Sequence, residues 1–79
     1  FSRFSEVEAS QYLRSAGYTT SEVTAVIADF PEVSFQAHAE LSAMDYYYGP
    51  DSPTREQVEN YLQGRGFTQS QIDYAMARL

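Results

Sequence analysis

His38 is the only histidine of the chain and the first candidate for catalytic or metal chemistry. A typical zinc site needs a second histidine or cysteines, and the chain has no cysteine. A general base needs a nucleophile and an orienting acid beside it, and Ser34 and Ser42 are candidates only because serine is common here. We therefore interpret His38 as a surface or hydrogen-bonded structural residue, and we expect neither enzymatic activity nor a cofactor.

Asp45 and Glu56 stand at the first and twelfth positions of a calcium-loop spacing. The positions between them do not fit, because Tyr47 and Gly49 occupy ligand positions and Pro50 stands where the loop requires glycine. We reject this site and expect no bound metal. The acidic residues are better explained as charges at helix starts and on solvated faces.

Three consecutive tyrosines, Tyr46, Tyr47 and Tyr48, are the most unusual local feature. On a helix, successive side chains point about 100° apart, so the three cannot all face one core. Tyrosine combines a large contact area with a hydrogen-bonding end, which suits a binding hot spot. One interpretation is a partner-binding surface. The other is that two of the tyrosines pack between the halves of the chain and one is exposed.

The chain repeats itself: Tyr12-Leu13 recurs 49 residues later as Tyr61-Leu62, and Gly17-Tyr18-Thr19 recurs as Gly66-Phe67-Thr68. In each Gly-aromatic-Thr corner, glycine supplies a positive φ and threonine caps the next helix. Apolar residues at helical spacing flank both corners. The repeat predicts two helix-turn-helix units, with the corner aromatics either plugging the core or contacting a partner.

Capping sequences and apolar stripes predict an all-α protein of about five short helices and no sheet. The predicted helices are 5–16, 19–30, 34–48, 53–65 and 68–79. We expect Ser52-Pro53 to start the fourth helix. Ala37, Leu41, Met44 and Tyr48 form one stripe along a side of the predicted third helix, and Leu41 and Met44 of this stripe are expected in the core.

Because the connection over residues 49–52 is short, the two halves are predicted to pack as one helical domain over residues 1–79. Repeat 1 covers about 5–30 together with the helix 34–48, and repeat 2 covers about 53–79. The predicted core consists of large apolar residues from all five helices: Leu13, Val26, Ile27, Phe30, Leu41, Met44, Val58, Leu62, Ile72 and Met76.

The formal charge of −6 arises from eleven acidic residues against five arginines, with no lysine. Such a charge repels phosphate, so we expect no nucleic-acid partner and no anionic-membrane partner. A DNA-binding helix-turn-helix is the least favoured function, because the second helix carries Glu22 and Asp29 and no basic residue. The lack of cysteine and of a long apolar run favours a cytoplasmic location. The first residue is not Met, which is expected of a trimmed chain or of a segment of a longer protein.

The stretch from Glu56-Gln57-Val58 through Gly66-Phe67-Thr68 to Ala75-Met76 resembles the first two helices of a ubiquitin-associated (UBA-like) domain. The segment Ala9–Tyr48 is similar and has room for the third helix. In such domains the corner between the first two helices, together with the third helix, binds a hydrophobic patch of a partner. The resemblance implies a small helical fold. It also implies binding positions at the two corners: Ala16, Gly17 and Tyr18, and Arg65, Gly66 and Phe67.

We therefore expect a non-enzymatic module that binds a protein partner through a shallow apolar or aromatic surface. The candidate contact residues are Tyr18, Arg65, Phe67, Tyr46, Tyr47 and Tyr48, with Arg14 as a further charge at the rim. Since the copies differ at these positions, one composite face is favoured over two identical sites. The alternative is a structural segment of a larger assembly. Homo-oligomer formation through the tyrosines would give a concentration-dependent mass in solution, whereas a monomer at high concentration would favour a separate partner.

Overall fold

A computed structural model describes residues 3–79, which form five α-helices and no strand. The helices are α1 (Glu6–Ser15), α2 (Thr20–Ala28), α3 (Glu32–Tyr47), α4 (Arg55–Gly64) and α5 (Gln69–Met76). The predicted all-α fold is confirmed. Phe1 and Ser2 fall within the predicted domain but lie outside the described residues. None of the helices within residues 3–79 has both the length and the apolar composition that crossing a membrane requires.

Reciprocal capping boxes start four of the five helices within residues 3–79, at Ser5, Thr19, Thr54 and Thr68. In each, the N-cap oxygen accepts a backbone N–H three residues later, and the Glu or Gln at that position accepts the N-cap N–H. Thr54 corrects the predicted start of α4 at Ser52. The box that Thr54 makes with Gln57 satisfies two backbone donors, which Ser52 does not do.

α3 turns a different face to the core than its apolar pattern predicts. The predicted core position of Met44 is wrong, because Met44 is exposed, as is Tyr48 on the same stripe, while Phe35, Ala39 and Ala43 are buried. The remaining residues of that stripe, Ala37 and Leu41, are only partly buried. α3 packs extensively on α5, and alanines at the contact let the two backbones approach more closely than Leu or Met would.

The main core lies between α3, α4 and α5. It consists of Ala39, Ala43, Val58, Leu62, Phe67, Ile72 and Ala75. Tyr46, Tyr47, Met76 and Leu79 pack against its edge. Of the predicted core residues, Val58, Leu62 and Ile72 lie within it. Leu13 is also buried but lies outside this cluster, and Val26, Ile27 and Phe30 are partly buried.

The helices are organised as two hairpins and one additional helix. α1 packs on α2 to form the first hairpin, and α4 packs on α5 to form the second. α3 was predicted to complete the first repeat, yet it packs mainly against α5 and α4 of the second. The molecule is elongated, 39 × 21 × 16 Å, with a radius of gyration of 13.2 Å. A compact chain of this length has about 11.6 Å, so the first hairpin extends the body formed by the other three helices.

The observed rotation of α3 predicts that Ala43→Leu destabilises the fold by about 1–3 kcal/mol, because the larger side chain has no room against α5. The matched change at the next residue, Met44→Leu, is expected to alter the free energy of unfolding by less than about 0.5 kcal/mol. Urea unfolding followed by circular dichroism measures both. Equal losses for the two variants would contradict this orientation of α3.

Candidate functional site

Tyrosines cluster where the C-terminal end of α3 meets α4. The Tyr46 ring lies 4.5 Å from the Tyr61 ring, and the Tyr47 and Tyr48 rings meet edge to face at 5.0 Å. Tyr48 is 68% exposed and Tyr61 is 37% exposed. Met44 is also exposed, and it stands one helical turn before Tyr48 on the same side of α3. We call these five residues the tyrosine surface.

The end of α3 explains why Tyr48 stays outside the core. The backbone N–H of Tyr48 donates to the carbonyl of Met44, and the N–H of Gly49 donates to the carbonyl of Tyr46. These two hydrogen bonds close the last turn of the helix. A Cβ at Gly49 would lie 2.9 Å from the carbonyl oxygen of Asp45, so glycine permits this tight ending. Tyr46 and Tyr47 pack against the core while Tyr48 is exposed, which agrees with the interpretation of two packed tyrosines and one exposed.

Arg65 joins the first hairpin to the second. Its Nη2 and Nε donate to the two carboxylate oxygens of Glu8 at 2.9 and 3.1 Å. Its Nη1 donates to the Tyr61 hydroxyl at 3.1 Å, and the guanidinium lies 5.5 Å from the Tyr61 ring centre and 5.6 Å from that of Phe67. The Ser5 hydroxyl donates to the backbone carbonyl of Arg65 at 2.6 Å. We call these contacts the Arg65 network, and they make Arg65 a structural link as well as a candidate rim charge.

The Arg65 network holds its charges in their ionised forms. Burial raises the pKa of Glu8, but the hydrogen bonds from Arg65 and from the backbone of Ser5 together outweigh it, so the net pKa is lowered. Burial lowers the pKa of Arg65, and the bonds to Glu8 and Tyr61 outweigh that effect and raise it. The ion pair therefore persists at neutral pH and loses its negative partner only in acid.

The two corner aromatics have different environments. Tyr18 is 48% exposed, whereas Phe67 is 5% exposed and belongs to the core. Phe67 therefore has no surface to offer a partner in this structure. Ser5 and Glu8, near the start of α1, contact Arg65, and Tyr18 follows the far end of this ten-residue helix, about 15 Å away. Of the two corner aromatics predicted for one composite face, only Tyr18 is therefore exposed.

Two shallow depressions flank a ridge on α1 formed by Glu6, Ser10 and Arg14. One, of about 320 Å³, is completed by Val7, Gln11, Gly66 and Thr68. The other, of about 260 Å³, is completed by Val23, Thr24, Ile27 and Ala28. Arg14, which the sequence predicted as a rim charge, belongs to this ridge and lines both depressions. Neither depression brings together a nucleophile, a base and an orienting acid.

His38 lies apart from both depressions in a structural position. Its Nδ1 is 2.9 Å from the backbone carbonyl of Phe4, and its ring meets Phe35 edge to face. Within residues 3–79, no three His, Asp or Glu side chains are grouped so as to hold a metal ion. The hydrogen bond to Phe4 indicates that His38 helps to fix the chain preceding α1 against α3.

Sequence reasoning missed Tyr61, Met44 and Glu8 as members of these surfaces. One signal was present for Tyr61, because it precedes Arg65 by four residues and such pairs are neighbours on a helix. No local signal pointed to Glu8, since its pairing with Arg65 joins residues 57 positions apart. Met44 was missed because it was assigned to the wrong face of α3.

The two corner glycines provide a matched test of the contact between hairpins. Both have positive φ, 99° at Gly17 and 93° at Gly66, so alanine at either costs about 1–2 kcal/mol of backbone strain. A Cβ at Gly66 would also lie 3.0 Å from the Cβ of Val7, whereas one at Gly17 meets nothing within 4 Å. Gly66→Ala is therefore expected to destabilise the fold by about 1 kcal/mol more than Gly17→Ala. Equal losses in thermal unfolding would show that α1 does not press on the second corner.

The charge of Glu8 can be tested separately from its capping role, because Gln57 and Gln71 cap their helices as amides. Glu8→Gln is expected to lower the free energy of unfolding by about 1 kcal/mol near neutral pH. Since the folded pKa is lowered, this stabilisation is present above the ordinary value of 4.5 and is lost as the pH falls below it. Urea unfolding across this range should show the two proteins converging in acid. A difference that does not change with pH would contradict the ion pair.

No protein-family model, curated protein or solved structure matches this chain. The resemblance to UBA-like domains therefore stays a prediction. The tyrosine surface, which combines two ring pairs with exposed side chains, is the main candidate for a binding site.

Proposed function

We propose that this chain is a non-enzymatic protein-binding module whose tyrosine surface contacts the partner. The observation that carries the proposal is the exposure of Tyr48 beside ring pairs that hold its neighbours in place. Tyrosines in such an arrangement present a large, amphipathic contact area. A shallow aromatic surface of this kind suits an apolar patch on another protein better than it suits a small molecule.

Preorganisation of the surface supports this proposal. The Tyr46 ring packs at a tilt against the Tyr61 ring, and Arg65 contacts both the hydroxyl and the ring of Tyr61. Arg65 is itself held by Glu8. Side chains that are already fixed lose little conformational entropy when a partner binds, so more of the contact energy remains as affinity.

The charge of the chain supports a protein partner with basic groups around its apolar patch. The net charge is −6, and the exposed Asp51 lies close in sequence to the three tyrosines, whereas Asp45 is already paired with Arg3 at 2.6 Å. Complementary charge at a rim speeds association and selects partners. The same charge disfavours nucleic acid and anionic membranes. The absence of cysteine is compatible with a reducing compartment such as the cytoplasm.

The resemblance to UBA-like domains also supports a protein partner. Of the two corners that it implies as binding positions, only the first exposes its aromatic residue, Tyr18. The second corner contributes indirectly, because Arg65 positions Tyr61 within the tyrosine surface. A partner that binds the second hairpin would therefore contact the tyrosine surface and not Phe67.

A structural role in a larger assembly is the second candidate. It is favoured by the number of large apolar side chains that residues 3–79 leave exposed: Val7, Tyr12, Tyr18, Val33, Met44, Tyr48 and Tyr61. Copies of this chain, or neighbouring chains, would bury part of this area. Sedimentation velocity over a range of concentrations distinguishes the two candidates, since self-association that Tyr48→Ser abolishes would select the assembly.

The proposed function predicts that Tyr48→Ser weakens partner binding by at least about tenfold, because it removes the most exposed part of the surface. Val33→Ser is the matched control, since Val33 is 59% exposed but stands near the start of α3. Quantitative affinity capture from the native source measures both variants against the unchanged chain. If Tyr48→Ser recovers the same proteins in the same amounts as Val33→Ser, the proposed function is wrong.

A further inference from the structure

The two hairpins share one backbone conformation but differ in what covers them. Thr19 and Thr68 both cap in the extended region, with φ of −73° in each and ψ of 163° and 160°. The amide that follows each corner glycine donates to the equivalent leucine carbonyl, at 3.2 Å in the first hairpin and 3.3 Å in the second. The second hairpin therefore shows directly how a hairpin of this shape receives a third helix.

In the second hairpin, α3 covers the face formed by Phe67, Gln71 and Ala75. All three are buried, and Phe67 and Ala75 share the core cluster with Ala39 and Ala43 of α3. At the start of α3, Glu32 accepts hydrogen bonds from the Gln71 amide at 3.1 and 3.3 Å. The contact between α3 and the second hairpin therefore combines small apolar side chains with one polar pair, Glu32 and Gln71, at the start of α3.

The first hairpin has no helix of the described chain on the equivalent face. The equivalent residues, 49 positions earlier, are Tyr18, Glu22 and Val26. Tyr18 and Glu22 are exposed and Val26 is only partly buried. α3 packs on the second hairpin and makes few contacts with α1 or α2. The surface that α3 fills in one repeat is thus open in the other.

We propose that the face formed by Tyr18, Glu22 and Val26 binds an amphipathic helix of a partner protein, seated as α3 is seated on α5. This surface is separate from the tyrosine surface and does not depend on the function proposed for it. Because Val26 is larger than Ala75, the incoming helix needs small residues at the crossing, as α3 has in Ala39 and Ala43.

The charge of the incoming helix follows from the difference between Glu22 and Gln71. Both cap their helices through one side-chain oxygen, which accepts the N–H of Thr19 or Thr68. The Gln71 amide nitrogen then remains to donate to Glu32, whereas Glu22 offers a second carboxylate oxygen. The bound helix therefore carries Arg or Lys in its first turn, where α3 carries Glu32.

A peptide of residues 31–48 tests this proposal, since it carries the α3 face. Two versions are compared by fluorescence anisotropy with the whole chain, one with the natural Glu32 and one with Glu32→Arg. The Arg version is expected to bind about fivefold more tightly. The chain variant Glu22→Gln, which copies Gln71 and keeps the cap, is expected to reverse this preference.

Backbone amide shifts in the labelled chain show where the peptide binds. The expected changes centre on Tyr18 and α2. Tyr48→Ser in the whole chain, tested with the unchanged peptides, is expected to leave the affinity for the peptide unchanged, which separates this proposal from the tyrosine surface. Three outcomes overturn it: no saturable binding of either peptide, a preference that Glu22→Gln does not alter, or shift changes confined to α5. The last would mean that the peptide replaces α3 instead of binding the first hairpin.

Discussion

The close packing of α3 on α5 is the contact on which the rest of the structure depends. Ala39 and Ala43 of α3 are completely buried in the same cluster as Ala75 of α5, and this proximity covers Phe67. It also sets the rotation of α3 about its axis. Once the alanine side faces α5, Met44 and Tyr48 must lie outside and Tyr46 meets α4. The candidate binding surface is therefore a consequence of how the core is packed.

The same contact makes two similar hairpins unequal. A single helix cannot cover both, and α3 covers the second, so the first keeps an open face and extends the molecule to 39 Å. The Arg65 network then supplies a polar link between the hairpins, with Glu8 and Ser5 meeting the second corner. A charge-assisted link of this kind depends on geometry more than on area. The tyrosine surface shares this link, because Arg65 also holds Tyr61.

Much of the local structure was predictable because it depends on residues within one turn of each other. Capping boxes satisfy backbone donors three residues away, and the corner glycines supply a backbone conformation that other residues resist. The error at Ser52 has the same local character, since Thr54 competes for the same helix start and makes more hydrogen bonds. The face of α3 was mispredicted for another reason. This helix has apolar residues on several sides, so periodicity alone does not single out the one that packs.

By itself, the sequence determined five helices, the caps of α1, α2 and α5, the two equivalent corners and the absence of strands from residues 3–79. Only the tertiary structure decided which hairpin packs against α3. That choice also decides that Tyr18 is exposed and Phe67 is buried. These two aromatics occupy equivalent corner positions with similar backbones, yet one is exposed and the other is buried. The physical reason is that their difference comes from side-chain packing between distant segments. The capping and turn signals are alike in the two repeats, so they cannot distinguish between them.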